Sequence, residues 1–409
     1  MRRAILMIVL ATTLLLTGCI KEGDKSAPGL LGNLEPDYTA DIEPTATYDW
    51  MKGESPVENK RIGILRSGIS STQYAISPTG IYYLQKDFSD FSNNYIWYCD
   101  HGSDTFVKLC GRADCNHDNT DCNAYVYEGS VLSFYHGYLY VMSGGMVDLK
   151  GCQLIRMKPD GSDHVQVLDF EKYVKGIGGD MVSCEMITDG YCIFTPKQWV
   201  ITESSDDASE QMEGKSMGYY IYKLDGSMEQ PQKVNISGML MYNCSDVLLM
   251  LGSSDSGNES GGYFHWDVES DSKTFLTKHP GVPGYFGRNE AFYSKDGNII
   301  RLDYETQKET VMVNTHLGGN YYLHCFPDCM ILASRNDKDS KLYIYNWAFE
   351  LVDTVAISYP HSGRTQHLVV AETAERIILS DYTQGAPVAY INKSELGTDN
   401  AKIHFFSFA

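Results

Sequence analysis

The chain has 409 residues, enough for one large or two ordinary domains, with 43% hydrophobic and 12% aromatic residues including 29 Tyr. That mixture suits pleated, half-buried surfaces better than helices. The formal net charge of −20 excludes nonspecific nucleic-acid binding, which needs a cationic surface, and no basic tract offsets it.

Met1-Arg2-Arg3 followed by the largely apolar run Ala4–Leu16 reads as the charged and hydrophobic parts of a secretory leader. The run is too short to cross a bilayer, which takes about 20 apolar residues. It ends in Leu16-Thr17-Gly18-Cys19, which resembles the lipobox of bacterial lipoproteins. The resemblance implies a signal peptide over residues 1–18, a lipid thioether on Cys19 and further acylation such as palmitate, since one chain alone anchors only marginally. The mature protein is then expected on the extracytoplasmic face of a bacterial cell membrane. The alternative is an ordinary secretory leader with a chance Cys.

Residues 19–60 carry the lipidated Cys and then Gly, Pro, Asp, Glu, Thr and Ser with little apolar periodicity, and read as a flexible stalk. About 40 such residues span roughly 35 Å. Tyr48, Asp49, Trp50 and Met51 read as solvated linker, docking back on the domain being the alternative.

Residues 61–409 turn to short strands. The clearest unit is Gly137–Leu168: an aromatic strand at Tyr138–Val141, alternation over Gln153–Met157, turn chemistry at Pro159-Asp160-Gly161-Ser162, then alternation again. The same step into a strand recurs at Thr79-Gly80, Asp189-Gly190, Asp246, Asn289-Glu290, Asp328 and Ala374-Glu375. Each is followed by a further strand: Tyr95–Tyr98, Tyr219–Leu224, Tyr263–Trp266, Asn298–Leu302, Leu342–Tyr345 and Val388–Ile391. Steps about 40 to 60 residues apart predict an all-β fold, a β-propeller of seven four-stranded blades, with six or eight as alternatives. Two tandem β-sandwiches are the competing fold. Either Arg61–Leu65 or Lys402–Phe406 is expected to supply the outer strand that closes the ring.

With its lipobox, stalk and Tyr-rich blades, the chain resembles bacterial β-propeller lipoproteins. Their DG-type hairpins are similar to those of the YWTD propellers related to the LDL receptor. The closest part of the resemblance is an LC-x4-C-x-H-x4-C-x-A segment, here Leu109 to Ala124. It implies fold and location, and no ligand.

Cys110, Cys115, His117 and Cys122 supply three thiolates and an imidazole, a set that suits structural zinc. In a disulfide-permissive compartment a pair such as Cys110–Cys122 is the competing reading. Cys99 and His101 just before are spare ligands or outer partners. Cys152, Cys184, Cys192, Cys244, Cys325 and Cys329 sit in apolar contexts and read as buried thiols, with Cys184 and Cys192 able to face each other across strands.

Catalysis finds no constellation: no G-x-S-x-G elbow exists, and a carboxylate pair among 53 acidic residues carries no signal. His361 and His367 read as loop and strand residues. The acidic stretches Asn336–Asp339 and Asp255–Gly262 read as solvated hairpins. Tyr285, Phe286 and Trp199 are the aromatics expected, if any, to line a sugar- or peptide-binding face. The reading is therefore a membrane-anchored, non-catalytic propeller binding a protein or glycan ligand. Its alternatives are a carbohydrate-active enzyme (lyase or glycoside hydrolase) and an envelope assembly scaffold.

Overall fold

The computed structural model describes residues 47–57, 73–85, 93–144, 149–188, 190–203, 210–236, 238–244, 247–252, 261–278, 282–318, 321–334, 341–357, 367–381 and 387–409. The leader, Cys19, most of the stalk, Arg61–Leu65, Asn336–Asp339, His361 and all but the end of Asp255–Gly262 lie outside them, as do the side chains of Cys244 and His367.

Seven antiparallel sheets follow one another along the chain in a ring, a seven-bladed β-propeller. Every step read from sequence leads into the second strand of a blade: Gly80–Gln85, Tyr138–Ser143, Tyr191–Glu203, Val247–Gly252, Glu290–Lys295, Met330–Ser334 and Arg376–Asp381. Seven separate sheets leave no room for tandem sandwiches, in which two sheets share one core.

The second strands are buried on both faces, which explains their unbroken apolar runs. In blade six, Met330 and Leu332 pack with Phe292 and Ile299 of blade five. The alternate residues Ile331 and Ala333 pack with Ile377 and Leu379 of blade seven. Period-two alternation thus cements each blade to both neighbours.

The C-terminus closes the ring. His404–Phe405 is the outer strand of blade seven, within the Lys402–Phe406 segment anticipated for closure. Ser407–Phe408 then crosses to blade one and pairs in parallel with Thr105–Lys108. Phe106 stacks on Phe408 at 5.0 Å and meets Phe406 edge-on at 5.1 Å, so the seam is aromatic as well as hydrogen-bonded.

Two features were not read from sequence, and a third was read only as the alternative. Phe170–Gly176 forms a short helix between blades two and three, its first turn capped by Asp169, whose Oδ1 accepts from Lys172 N at 2.8 Å. In blade three the second strand runs on to Glu203 and pairs with Glu210–Ser216, extending the hairpin into a two-stranded ribbon. The third feature corrects the linker reading: residues 47–57 dock on blades five to seven. Trp50 is 9% exposed, and its Nε1 donates to Lys393 O at 3.0 Å. Asn346 Nδ2 donates to Trp50 O, and Ala348 N to Lys52 O. Gly53 has φ +84°, and a Cβ there would lie 2.2 Å from the Trp347 carbonyl carbon. A polar context hid this contact, because one or two aromatic anchors leave no periodic signal.

Candidate metal centre

Blade one is interrupted at its outer edge. Thr105–Lys108 pairs with the second half of Asn93–Asp100, and Tyr125–Tyr127 pairs with the first half. Between them Ile96 accepts from Leu109 N and donates to Ala124 O, both at 2.8 Å. Residues 110–123 are therefore a loop spliced into one continuous strand position, with both ends pinned on the same residue.

Within that loop the ligand atoms of Cys110, Cys115, His117 and Cys122 all lie within 4.8 Å of one another. Metal–ligand lengths of about 2.0–2.3 Å place tetrahedral donors roughly 3.4–3.8 Å apart, so a small contraction would seat an ion. Cys122 Sγ lies 3.7 Å from His117 Nδ1, and His117 N donates to Cys115 Sγ at 3.3 Å. All three cysteines are free thiols in the structure, as are the other described cysteines whose side chains it shows. The four residues present fit a metal by donor type, number and convergence.

Local contacts shape the cluster. His117 adopts φ +59°, and Lys108 Nζ donates to its carbonyl at 2.6 Å while lying 4.2 Å from the Tyr95 ring centre. Arg112 holds the far side through its Nη1, which donates to Asp121 O at 2.8 Å. Burial pushes the Cys122 thiol up to about 12. At Cys110 burial also raises the thiol, but hydrogen bonds involving the Arg112 and Asn123 backbone and the neighbouring cysteines outweigh it and leave it below the ordinary range.

Cys99 and His101 do not join the cluster. Cys99 is buried in the third strand with Sγ directed at Ser103 O, and His101 Nε2 binds Ser77 O at 2.9 Å. Strand alternation and the turn after Asp100 carry both to another part of blade one, a separation that proximity in sequence conceals.

No family model and no curated protein matches the sequence. Solved structures share the architecture. TolB from Acinetobacter baumannii is 11% identical over 67% of this chain and 62% of its own, with a TM-score of 0.34. The β-propeller domain of the Trilobed protease from Pyrococcus furiosus is 10% identical over 69% and 83%, with a TM-score of 0.40. A puromycin-hydrolyzing peptidase from Mycobacterium tuberculosis is 11% identical over 87% and 55%, with a TM-score of 0.45. This chain spans less than two thirds of the first and last of these chains. Similarity at this level is one of fold alone.

The aromatic expectations divide. Phe286 is fully buried between blades four and five, stacked with Tyr263 at 5.0 Å, and Tyr285 donates its hydroxyl to Pro56 O. Neither lines an open face. Trp199 does lie open, 39% exposed on the blade-three ribbon beside Ile201 at 66%. Cys184 and Cys192 do face each other, Sγ to Sγ 3.8 Å, as buried thiols.

Antiparallel order puts the one-to-two and three-to-four turns of every blade at one end and the remaining connections at the other. Among the described residues, the docked segment 47–57 hydrogen-bonds at the first end: Asn346, Ala348 and Glu350 in a three-to-four turn, Lys393 in another, and Tyr285 beside a one-to-two turn. At the first end the one-to-two turns take two to four residues and the three-to-four turns four to eleven; at the opposite end the two-to-three connections run from two to nine. The ribbon carrying Trp199 projects there as well.

Proposed function

We propose that the chain is a lipid-anchored, extracytoplasmic β-propeller that binds a protein or glycan partner through one disc end and performs no chemistry. A zinc ion held by Cys110, Cys115, His117 and Cys122 is its structural staple. The observation that carries the reading is the docking of residues 47–57 at the end bearing the one-to-two turns. A chain arriving from Cys19 enters the propeller there. That leaves the other end, where the blade-three ribbon projects, turned to the surroundings, and segments that project from a rigid scaffold are where binding residues concentrate. The zinc role is structural because four protein ligands fill a tetrahedral ion and leave no position for substrate.

Two measurements test it. Cys19→Ala is expected to move the protein from the membrane fraction to the soluble one; retention in the membrane would refute the anchor. A photo-crosslinking residue at position 199 is expected to capture a partner in living cells, and one at position 52 none. Capture from 52 alone would reverse the orientation.

A further inference from the structure

Among the described residues, twelve large hydrophobic side chains are exposed, and eight of them stand on outer strands at the rim. The other four are Trp199, Ile201, Met239 (50% exposed) and Leu251 (36%). All four lie at the disc end opposite the docked segment, on the adjoining blades three and four. We propose that the blade-three ribbon is a docking edge for an extended, cationic, amphipathic segment of a partner protein, which adds to it as a further strand. The proposal rests on the reading that this end is turned to the surroundings, and it names the chemistry of the partner met there.

Strand alternation sets the face. Ile193, in the buried part of the strand that forms the ribbon, packs with Met250 and Phe264 of blade four. Counting by twos, Trp199 and Ile201 carry that face on beyond the disc, on the blade-four side. There Met239 stands opposite Leu251 in the first two strands of blade four. The Tyr219 hydroxyl of blade three donates to Gly238 O, one residue before Met239, at 2.6 Å. That bond ties the two blades together at the end where the four side chains lie. The returning strand of the ribbon, Glu210–Ser216, pairs on one side with residues 197–203. Among the described residues no strand pairs with its other side.

The register selects the partner class. An unpaired strand edge offers main-chain donors and acceptors to an extended peptide, and alternate positions supply the selectivity. Trp199 stands opposite Gly214, Ile201 opposite Met212 and Glu203 opposite Glu210, so this face runs from apolar to acidic toward the tip. Like charges at directly opposed positions destabilise a strand pair, and a Lys or Arg of an incoming strand relieves that repulsion. Glu213 adds a further acidic position on the same strand, while Lys197 and Lys215 lie toward the base. A second copy of this chain, at a net charge of −20, brings like charge to the same place and is disfavoured.

The test uses the full-length protein in a nonionic detergent and a labelled peptide of seven residues, the length of Glu210–Ser216, alternating Lys and Val. Fluorescence anisotropy is expected to give a dissociation constant of about 10–100 μM, weakening as salt is added. Two control peptides share its length. One alternates Glu and Val; the other is the cationic peptide methylated on every main-chain nitrogen, which keeps charge and side chains but removes the donors of a strand. Both are expected to bind at least about tenfold more weakly. Ile201→Ser, at an exposed position, is expected to weaken the cationic peptide about tenfold without unfolding the protein, and Glu210→Lys to do the same. Absence of binding overturns the proposal, as does equal binding of either control or indifference to Ile201→Ser. If a crosslinker at position 199 captures a partner in cells while the peptide does not bind, this inference fails and the outward-facing end stands. If the peptide binds the ribbon while position 52 alone captures a partner, the orientation fails and the docking edge stands.

Discussion

The indole of Trp50 donates to the main-chain carbonyl of Lys393 across 343 positions of sequence. Beneath that contact the Lys393 ammonium is 1% exposed and bridges Asp328 at 2.6 Å and Glu372 at 2.8 Å. Segment 47–57 therefore lies against a buried ion triad shared by blades six and seven. Trp50→Ala is expected to cost about 3 kcal/mol, the usual loss for truncating a buried aromatic. Denaturant midpoints check this, and an unchanged midpoint would mean that the docked segment adds nothing to the fold.

The triad predicts a pH dependence. Burial pushes the Glu372 carboxyl up to about 7, against the pull of Lys393. For Lys393 burial works downward, but Glu372 and Asp328 outweigh it and keep the ammonium charged. A raised carboxyl binds more protons folded than unfolded between its ordinary value of 4.5 and 7. Its contribution is therefore full below 4.5 and is lost as pH rises through 7. In Glu372→Gln the stability change between pH 5 and 8 should flatten relative to the parent; a steeper profile would reverse the assigned sign.

Removing the cation is a harsher change. Lys393→Met leaves two carboxylates facing each other in a buried site and should cost about 3–5 kcal/mol. A chemical-denaturation comparison with Trp50→Ala separates the charge effect from the docking effect.

The ring seam offers a cleaner measurement. Phe106 and Phe406 sit edge to face at 5.1 Å, joining the first blade to the C-terminal tail. A double-mutant cycle on Phe106→Ala and Phe406→Ala should return a coupling of about 0.5–1.5 kcal/mol. Zero coupling would show that closure rests on strand pairing alone.

Much of this architecture was legible because the second strand of each blade is buried on both faces. Tyr82-Tyr83-Leu84 and Ile377-Ile378-Leu379 announce themselves as apolar runs after a turn. The outer strand of blade three was not: Gln232–Lys233 is two residues long, too short for any period. The Cys and His cluster was readable as residue types in one short polar loop, though metal and disulfide both stood open there. Its exclusion of Cys99 was not readable, because strand alternation decides which side a thiol faces. Phe286 misled for the same reason: an aromatic near a glycine-rich turn looks like loop, and the blade interface takes it in.

Gly161 links the fold to the site. Gly161→Ala adds a Cβ at a φ of +78° and 2.5 Å from Leu109 O, so the blade-two turn must lift from the neck of the loop. Strain of about 1–3 kcal/mol is expected. Faster loss of metal to a chelator reads it out, and unaltered loss would uncouple the turn from the loop.

The most direct measurement is the metal-to-protein ratio of the full-length chain, purified without reducing agent or added metal, together with a count of reactive thiols. The expected result is about one zinc per chain, with Cys110, Cys115 and Cys122 unreactive until a chelator removes the ion. No metal, together with Cys110 and Cys122 recovered in a disulfide-linked peptide, would contradict the zinc centre and make the spliced loop a disulfide clamp.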